Sequence, residues 1–163
     1  MYVCHMGEGP HFVLGGTETR LVGPASASGG AYCMLDQVIP AGFVTPKHSH
    51  ANEDQVAFVL EGTLGFWVEG ASEVEVTAGA FVSRPRGLLH ALWNASDSPA
   101  RMLEITSPGE AFERWVWDVH AAVERDGLSQ ATIVEVGERY GITYADEAEA
   151  GLSRKDSWFQ GER

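Results

Sequence analysis

The stretch that most constrains the fold runs Gly42-Phe43-Val44-Thr45-Pro46-Lys47-His48-Ser49-His50, continues through Ala51-Asn52-Glu53-Asp54-Gln55 and closes at Gly62. Two histidines with one residue between them lie on the same face of an extended strand. Imidazole is the commonest metal ligand at neutral pH, so such a pair is half of a site. The polar run Asn52-Glu53-Asp54 predicts a tight turn, and the apolar run Val56 to Leu60 predicts the returning strand. The turn folds Gln55 back beside the two imidazoles, where its amide oxygen can serve as a neutral hard donor.

About thirty residues on comes a second dense stretch, Gly79 to Asn94, in which Pro85 and Gly87 punctuate a turn and His90 opens the next strand. At this point the sequence resembles the cupin family. The first family motif, G-x5-H-x-H-x3,4-E-x6-G, is matched by Gly42, His48, His50 and Gly62. The second, G-x5-P-x-G-x2-H-x3-N, is matched at every fixed position by Gly79, Pro85, Gly87, His90 and Asn94. One departure stands out: the glutamate position of the first motif is occupied by Gln55, with Glu53 and Asp54 just before it. The resemblance implies one divalent metal ion held by His48, His50, Gln55 and His90. His5, His11 and His120 lack this spacing and read as surface or structural residues.

Length and charge narrow the partners. At 163 residues the chain fits one domain. A formal net charge of −12 argues against phosphate-mediated nucleic-acid binding and against anionic membrane surfaces. No run approaches the ~18–20 apolar residues of a membrane span. The opening Met1-Tyr2-Val3-Cys4-His5 lacks a basic-then-apolar export pattern, and Cys4 and Cys33 read as free thiols, so the expected location is cytoplasmic.

In chain order, short strands are predicted at His11–Leu14 and Glu18–Val22, joined by Gly15-Gly16, and then at Ala31–Ile39. Along that third strand Tyr32, Met34 and Asp36 share one face and Cys33, Leu35 and Gln37 the other, with neither face marked as inward. Further strands are predicted over 43–50, 55–60, 63–69, 72–77, 80–83, 89–94 and 100–106. Many short strands with glycine turns point to a sandwich or small barrel. The resemblance narrows this to a mainly β cupin jelly-roll barrel with a C-terminal α-helical appendage. Phe58, Phe66, Trp67, Phe81 and Trp93 read as core or interface residues.

The barrel segment is expected over residues 1–107 and a helical tail packed on it, within the same domain, over 108–163. Ser107-Pro108-Gly109-Glu110 has the form of a capped helix start, with Ser107 as the cap. Phe112, Trp115, Val116, Val119, Ala122 and Val123 then repeat at helical spacing as far as Gly127. Ser129 caps a second helix with Ile133, Val136 and Tyr140 inward and Gly141 as its stop. Beyond Asp146 the chain is polar, with Trp158-Phe159 as its apolar anchor. Trp115 and Trp117 point from different faces of the first helix, which together with the resemblance predicts a homodimer.

Three histidines and one oxygen donor leave open positions on a metal, the mark of a catalytic centre. Spacing does not choose among Fe, Mn, Ni, Co, Cu and Zn. The resemblance implies a small enolic, phenolic or polyketide-like substrate. The leading expectation is oxygen-dependent cleavage, as in quercetin-dioxygenase-like cupins, which the N-terminal segment, barrel and tail resemble. The alternative is a non-redox cyclase or isomerase, because a polyketide cyclase and a pectin-sugar-processing cupin also carry Gln at the glutamate position. A metal-binding barrel without catalysis is the third reading. Gln55 cannot take a proton, so a required base falls to Glu53 or Glu104, with Asp54 and Asp36 behind them.

Overall fold

The computed structural model describes residues 1–145. Trp158 and Phe159, expected to anchor the tail, lie outside the described residues. Eleven strands form two antiparallel sheets among these residues. The strands are β1 (His11–Leu14), β2 (Thr17–Gly23), β3 (Cys33–Ile39), β4 (His48–His50), β5 (Asp54–Glu61), β6 (Thr63–Val68), β7 (Val74–Thr77), β8 (Phe81–Arg84), β9 (His90–Trp93), β10 (Ala100–Ser107) and β11 (Ile142–Tyr144). One sheet has the order β1-β2-β3-β10-β5-β8 and the other β11-β4-β9-β6-β7. Helices α1 (Glu110–Asp126) and α2 (Gln130–Glu138) precede β11, and a short 3-10 turn covers Ala25–Ser28.

Glycine sets two local features. Leu14 and Thr17 are register partners, so Gly15-Gly16 is a two-residue hairpin turn, and both glycines have positive φ (58° and 94°) as the tight turn requires. Gly65 pairs with Trp93 across β6 and β9, and a Cβ there would lie 1.9 Å from the Trp93 ring. The missing side chain is what lets the indole lie flat against β6.

The alternation of β3 resolves its two faces. Cys33, Leu35 and Ile39 are buried, while Asp36 on the opposite face is covered by Arg101, which donates to it at 2.8 and 2.7 Å. One apolar cluster fills the barrel with Ile39, Val59, Leu64, Phe66, Leu92 and Met102. A second joins the β1–β3 face to the helices through Phe12, Leu35, Phe112, Val116, Val119 and Ile133. Each of these larger side chains contributes about 1.5–3 kcal/mol by leaving water, so the helices are held by the same kind of burial as the sheets. Cys4 and Cys33 are free thiols, and burial pushes Cys33 up to about 12.

Several expectations are corrected. The strand expected over 43–50 is ordered as a ladder only at His48–His50, with a single bridge from Val44 to Trp93. Pro46 interrupts it because proline has no N–H to give the ladder. Ser107 does not cap α1: it ends β10, its hydroxyl donates to the Ala31 carbonyl at 2.8 Å, and the helix begins at Glu110 after Gly109. Of the aromatic residues expected in the core or at an interface, Phe58 and Phe81 pair across β5 and β8 on an outward face, 38% and 65% exposed, which leaves them the interface alternative. The segment after α2 is not a helical ending but β11, which lies antiparallel to β4 with Ile142 opposite His50 and Tyr144 opposite His48.

The second helix also stops earlier than expected, at Glu138 with Arg139 as its C-cap rather than at Gly141. Ser129 caps α2, accepting from the Thr132 amide at 3.0 Å. Gly127 terminates α1, and the stripe Phe112, Val116, Val119 and Ala122 is buried. Among the described residues no helix is long and apolar enough to cross a membrane.

Candidate metal centre

His48 and His90 are register partners where β4 meets β9, and His50 lies two residues along on the same face of β4. The three side chains offer ligand atoms that all lie within 4.8 Å of one another. The two motif stretches are tied together by backbone, since the Gly87 amide donates to the His50 carbonyl at 2.8 Å. Outside the barrel Arg86 clamps Asp54, and its guanidinium holds that carboxyl down at about 2. Asn94, the last motif residue, is a loop builder: its amide donates to the carbonyls of Ile39 and Ser98.

The ring tautomers follow from hydrogen bonding. Nδ1 of His48 lies 2.9 Å from the Pro46 carbonyl, and Nδ1 of His90 lies 3.1 Å from the Leu88 carbonyl. A carbonyl only accepts, so each Nδ1 carries the proton and each Nε2 presents a lone pair. Burial pushes His48 down to about 3, reinforced by the neighbouring His50, and burial and His48 lower His90 as well. Both are therefore neutral at pH 7 and competent as ligands. Nδ1 of His50 faces Glu53 at 3.7 Å, both residues being buried. Glu53 stands behind the imidazole as an outer partner rather than in the cavity.

Gln55 begins the returning strand, as its position after the turn predicts, and it lines the same cavity as His48 and His50. Its Nε2 points to the Thr106 hydroxyl at 3.5 Å, while Oε1 is buried without a hydrogen-bond partner. His90 Nε2 is likewise buried and unpartnered. Buried polar atoms are normally satisfied, and two orphaned lone pairs within the imidazole cluster and beside it fit a divalent cation. The donor set of imidazole nitrogens and an amide oxygen suits zinc and the first-row transition ions.

The cavity opens to solvent, and its empty space is about 730 Å³ when the open space at its mouth is included. Its walls are mainly apolar: Leu35, Ile39 and Met102 from the six-stranded sheet, Phe112 and Val119 from α1, and Ile142 from β11. The Phe112 ring packs 5.6 Å from that of His50, and Tyr144 stacks at 5.7 Å on His48. Against these walls stands a buried ion pair, Arg84 with Glu104. Arg84 lies directly opposite Gln55 in the β5–β8 register. Of the carboxylates considered from sequence, Glu104 lines the cavity and Asp36 and Asp54 are bound to arginines elsewhere. Arg84 escaped sequence reasoning; the signal that could have found it is its place at the end of a strand that pairs with Gln55.

A small antiparallel barrel with three inward histidines defines a class of proteins before any comparison is made. Residues 35–106, the stretch that holds both histidine motifs, match the cupin domain family model. The structure of KdgF from Halomonas sp. is similar at 17% identity, covering 69% of this chain and 99% of that one, with a TM-score of 0.59. The polyketide cyclase RemF from Streptomyces resistomycificus is similar at 21% identity, over 66% of this chain and 80% of that one, with a TM-score of 0.58. Likeness at this identity concerns the fold. No curated protein sequence matches the chain.

Proposed function

We propose that the protein is a divalent-metal-dependent cupin enzyme acting without net oxidation, as a cyclase or isomerase, on a small enolic, phenolic or polyketide-like molecule. The observation that carries this reading is Gln55: a neutral amide oxygen, buried and unpartnered, stands where a metal-bound carboxylate could have taken a substrate proton. The ion would be held by His48, His50, His90 and Gln55. When bound, a divalent ion supplies Lewis-acid polarisation of a carbonyl or enolate oxygen. The neutral donor set leaves the full cationic charge facing the cavity and so favours an anionic substrate oxygen.

The chain's own residues do the rest. The Pro46 and Leu88 carbonyls fix the rings of His48 and His90, and Glu53 backs His50. The apolar walls from α1 and β11 exclude water and strengthen every charge interaction inside. Glu104 is the carboxylate placed to accept a substrate proton, because it lines the cavity; burial raises its carboxyl above the usual range against the pull of Arg84. The same placement supports a second reading, oxygen-dependent cleavage, with Glu104 doing the work that Gln55 cannot. A cytoplasmic location is part of the proposal, supported by the free thiols of Cys4 and Cys33.

The test is turnover of a panel of flavonols and polyketide-like enols by metal-loaded protein with and without oxygen. Anaerobic conversion supports the lead reading. Substrate-dependent oxygen consumption replaces it with the second, and no conversion in either condition points to a barrel that only binds.

A further inference from the structure

The Arg84–Glu104 pair is buried at 3% exposure for each residue, and it lines the cavity beside Gln55. Within the pair Arg84 Nη2 donates to Glu104 Oε2. Two fully buried atoms of the pair are without hydrogen bonds, Nε of Arg84 and Oε1 of Glu104. One is a fixed donor and the other a fixed acceptor. The guanidinium is held by Phe66, whose ring centroid lies 5.8 Å from Cζ.

A buried ion pair is weak evidence for stability, because its desolvation cost rivals its attraction and apolar replacements of similar volume are often neutral or better. A pair kept inside a mainly apolar cavity, with a buried donor and a buried acceptor left over, calls for a different role. Its placement supplies one. The imidazoles occupy the five-stranded sheet, whereas Gln55, Arg84, Glu104 and Thr106 occupy adjoining strands of the six-stranded sheet. A substrate whose anionic oxygen meets the metal centre therefore has this polar strip alongside.

We infer that Arg84 and Glu104 form a substrate-reading pair that selects molecules carrying two further oxygens, at least one of them a hydroxyl, on nearby carbons of a flat ring. The hydroxyl donates to Glu104 Oε1 and the second oxygen accepts from Arg84 Nε–H. Recognition at this strip deepens the function proposed above and rests on its cavity, but its hydrogen bonds involve no metal ligand.

The probes are resorcinol and its dimethyl ether, with binding followed by calorimetry before and after chelator treatment. Methylation adds apolar surface, which an apolar cavity favours. A preference for resorcinol therefore has to come from hydrogen bonds. Charge-assisted bonds of this kind correspond to a preference of at least about tenfold in the wild-type protein. The double variant Arg84→Met/Glu104→Leu replaces the pair by apolar groups of similar size and should fold, retain its metal and lose the preference. Glu104→Gln, which keeps the size and removes the charge, should reduce the preference severalfold. No preference in wild type, or an undiminished preference in either folded variant, overturns the inference. Metal content of the wild-type protein is read separately: if no metal is held but resorcinol is still preferred, the metal-dependent reading fails and the reading pair stands.

Discussion

His48 and His90 face each other as register partners across β4 and β9, with ring centroids 4.5 Å apart. Two strands with β5 to β8 between them in the chain thus bring their imidazoles to one point. Protein purified with its metal should carry near-stoichiometric divalent ion by elemental analysis. His48→Ala and His90→Ala should each lower metal affinity by more than the ~10–100-fold typical of losing an outer partner. Unchanged metal content in both variants would remove the centre.

Glu53 tests the outer layer. Its carboxylate lies 3.7 Å from His50 Nδ1, within ion-pair distance and without a hydrogen bond. Glu53→Gln should therefore weaken metal binding by about 10–100-fold without changing the ligand set. Chelator competition measures it, and equal dissociation constants would return Glu53 to a purely structural role.

Gln55→Glu adds one negative charge to the ligand set. At a few ångströms and an effective dielectric of about 20, a unit charge is worth on the order of 4 kcal/mol, offset in part by ligand rearrangement. The variant should hold metal more tightly and bind an anionic inhibitor less well. If chelator competition and calorimetry both leave wild type and variant alike, Gln55 is not a ligand.

Acid stability isolates Asp36. The Arg101 guanidinium, helped by the Gly7 amide, holds its carboxyl below the ordinary range despite burial. A depressed carboxylate stabilises the fold above its unfolded pKa, and that contribution disappears as pH falls through the folded value. Asp36→Asn should cost about 1–3 kcal/mol at pH 7, and the gap to wild type should narrow as pH falls through the acid range in which the carboxylate takes up its proton. Denaturant melts across that window check the sign; a gap independent of pH would mean that the pair's charge contributes nothing.

The homodimer remains a proposal with two exposed apolar features to support it. Trp117 on α1 is 44% exposed, and Phe58 and Phe81 sit side by side on the outer face of β5 and β8. Light scattering should give the mass of two chains at micromolar concentration, and Phe81→Lys or Trp117→Lys should shift it toward one. A monomeric wild type rules the proposal out.

Most of the barrel was legible in the sequence because turns carry their own chemistry. Gly15-Gly16, Glu61-Gly62 and the Pro85–Gly87 segment mark where strands reverse, and His48, His50, Gln55 and His90 inherit their places from those turns. Three features depend on partners distant in the chain and were not legible. The segment Ile142–Tyr144 becomes a strand only because β4 offers it a free edge. Ser107 leaves its capping role because Ala31 offers its hydroxyl an acceptor. Arg84 enters the cavity through a register set by β5, which no local pattern near residue 84 records.

The pairing of β11 with β4 also gives the site a schedule. Ser49 and Thr143, 94 residues apart, meet through their hydroxyls at 2.9 Å. During synthesis the histidine strand emerges well before its edge partner, and contacts of such sequence separation form late. Until Ile142–Tyr144 arrives, the backbone of β4 is a bare edge that another nascent chain can pair with. A chain cut ahead of residue 142 should therefore fail first by aggregating on the way to the native state, with every metal-binding side chain still in its sequence.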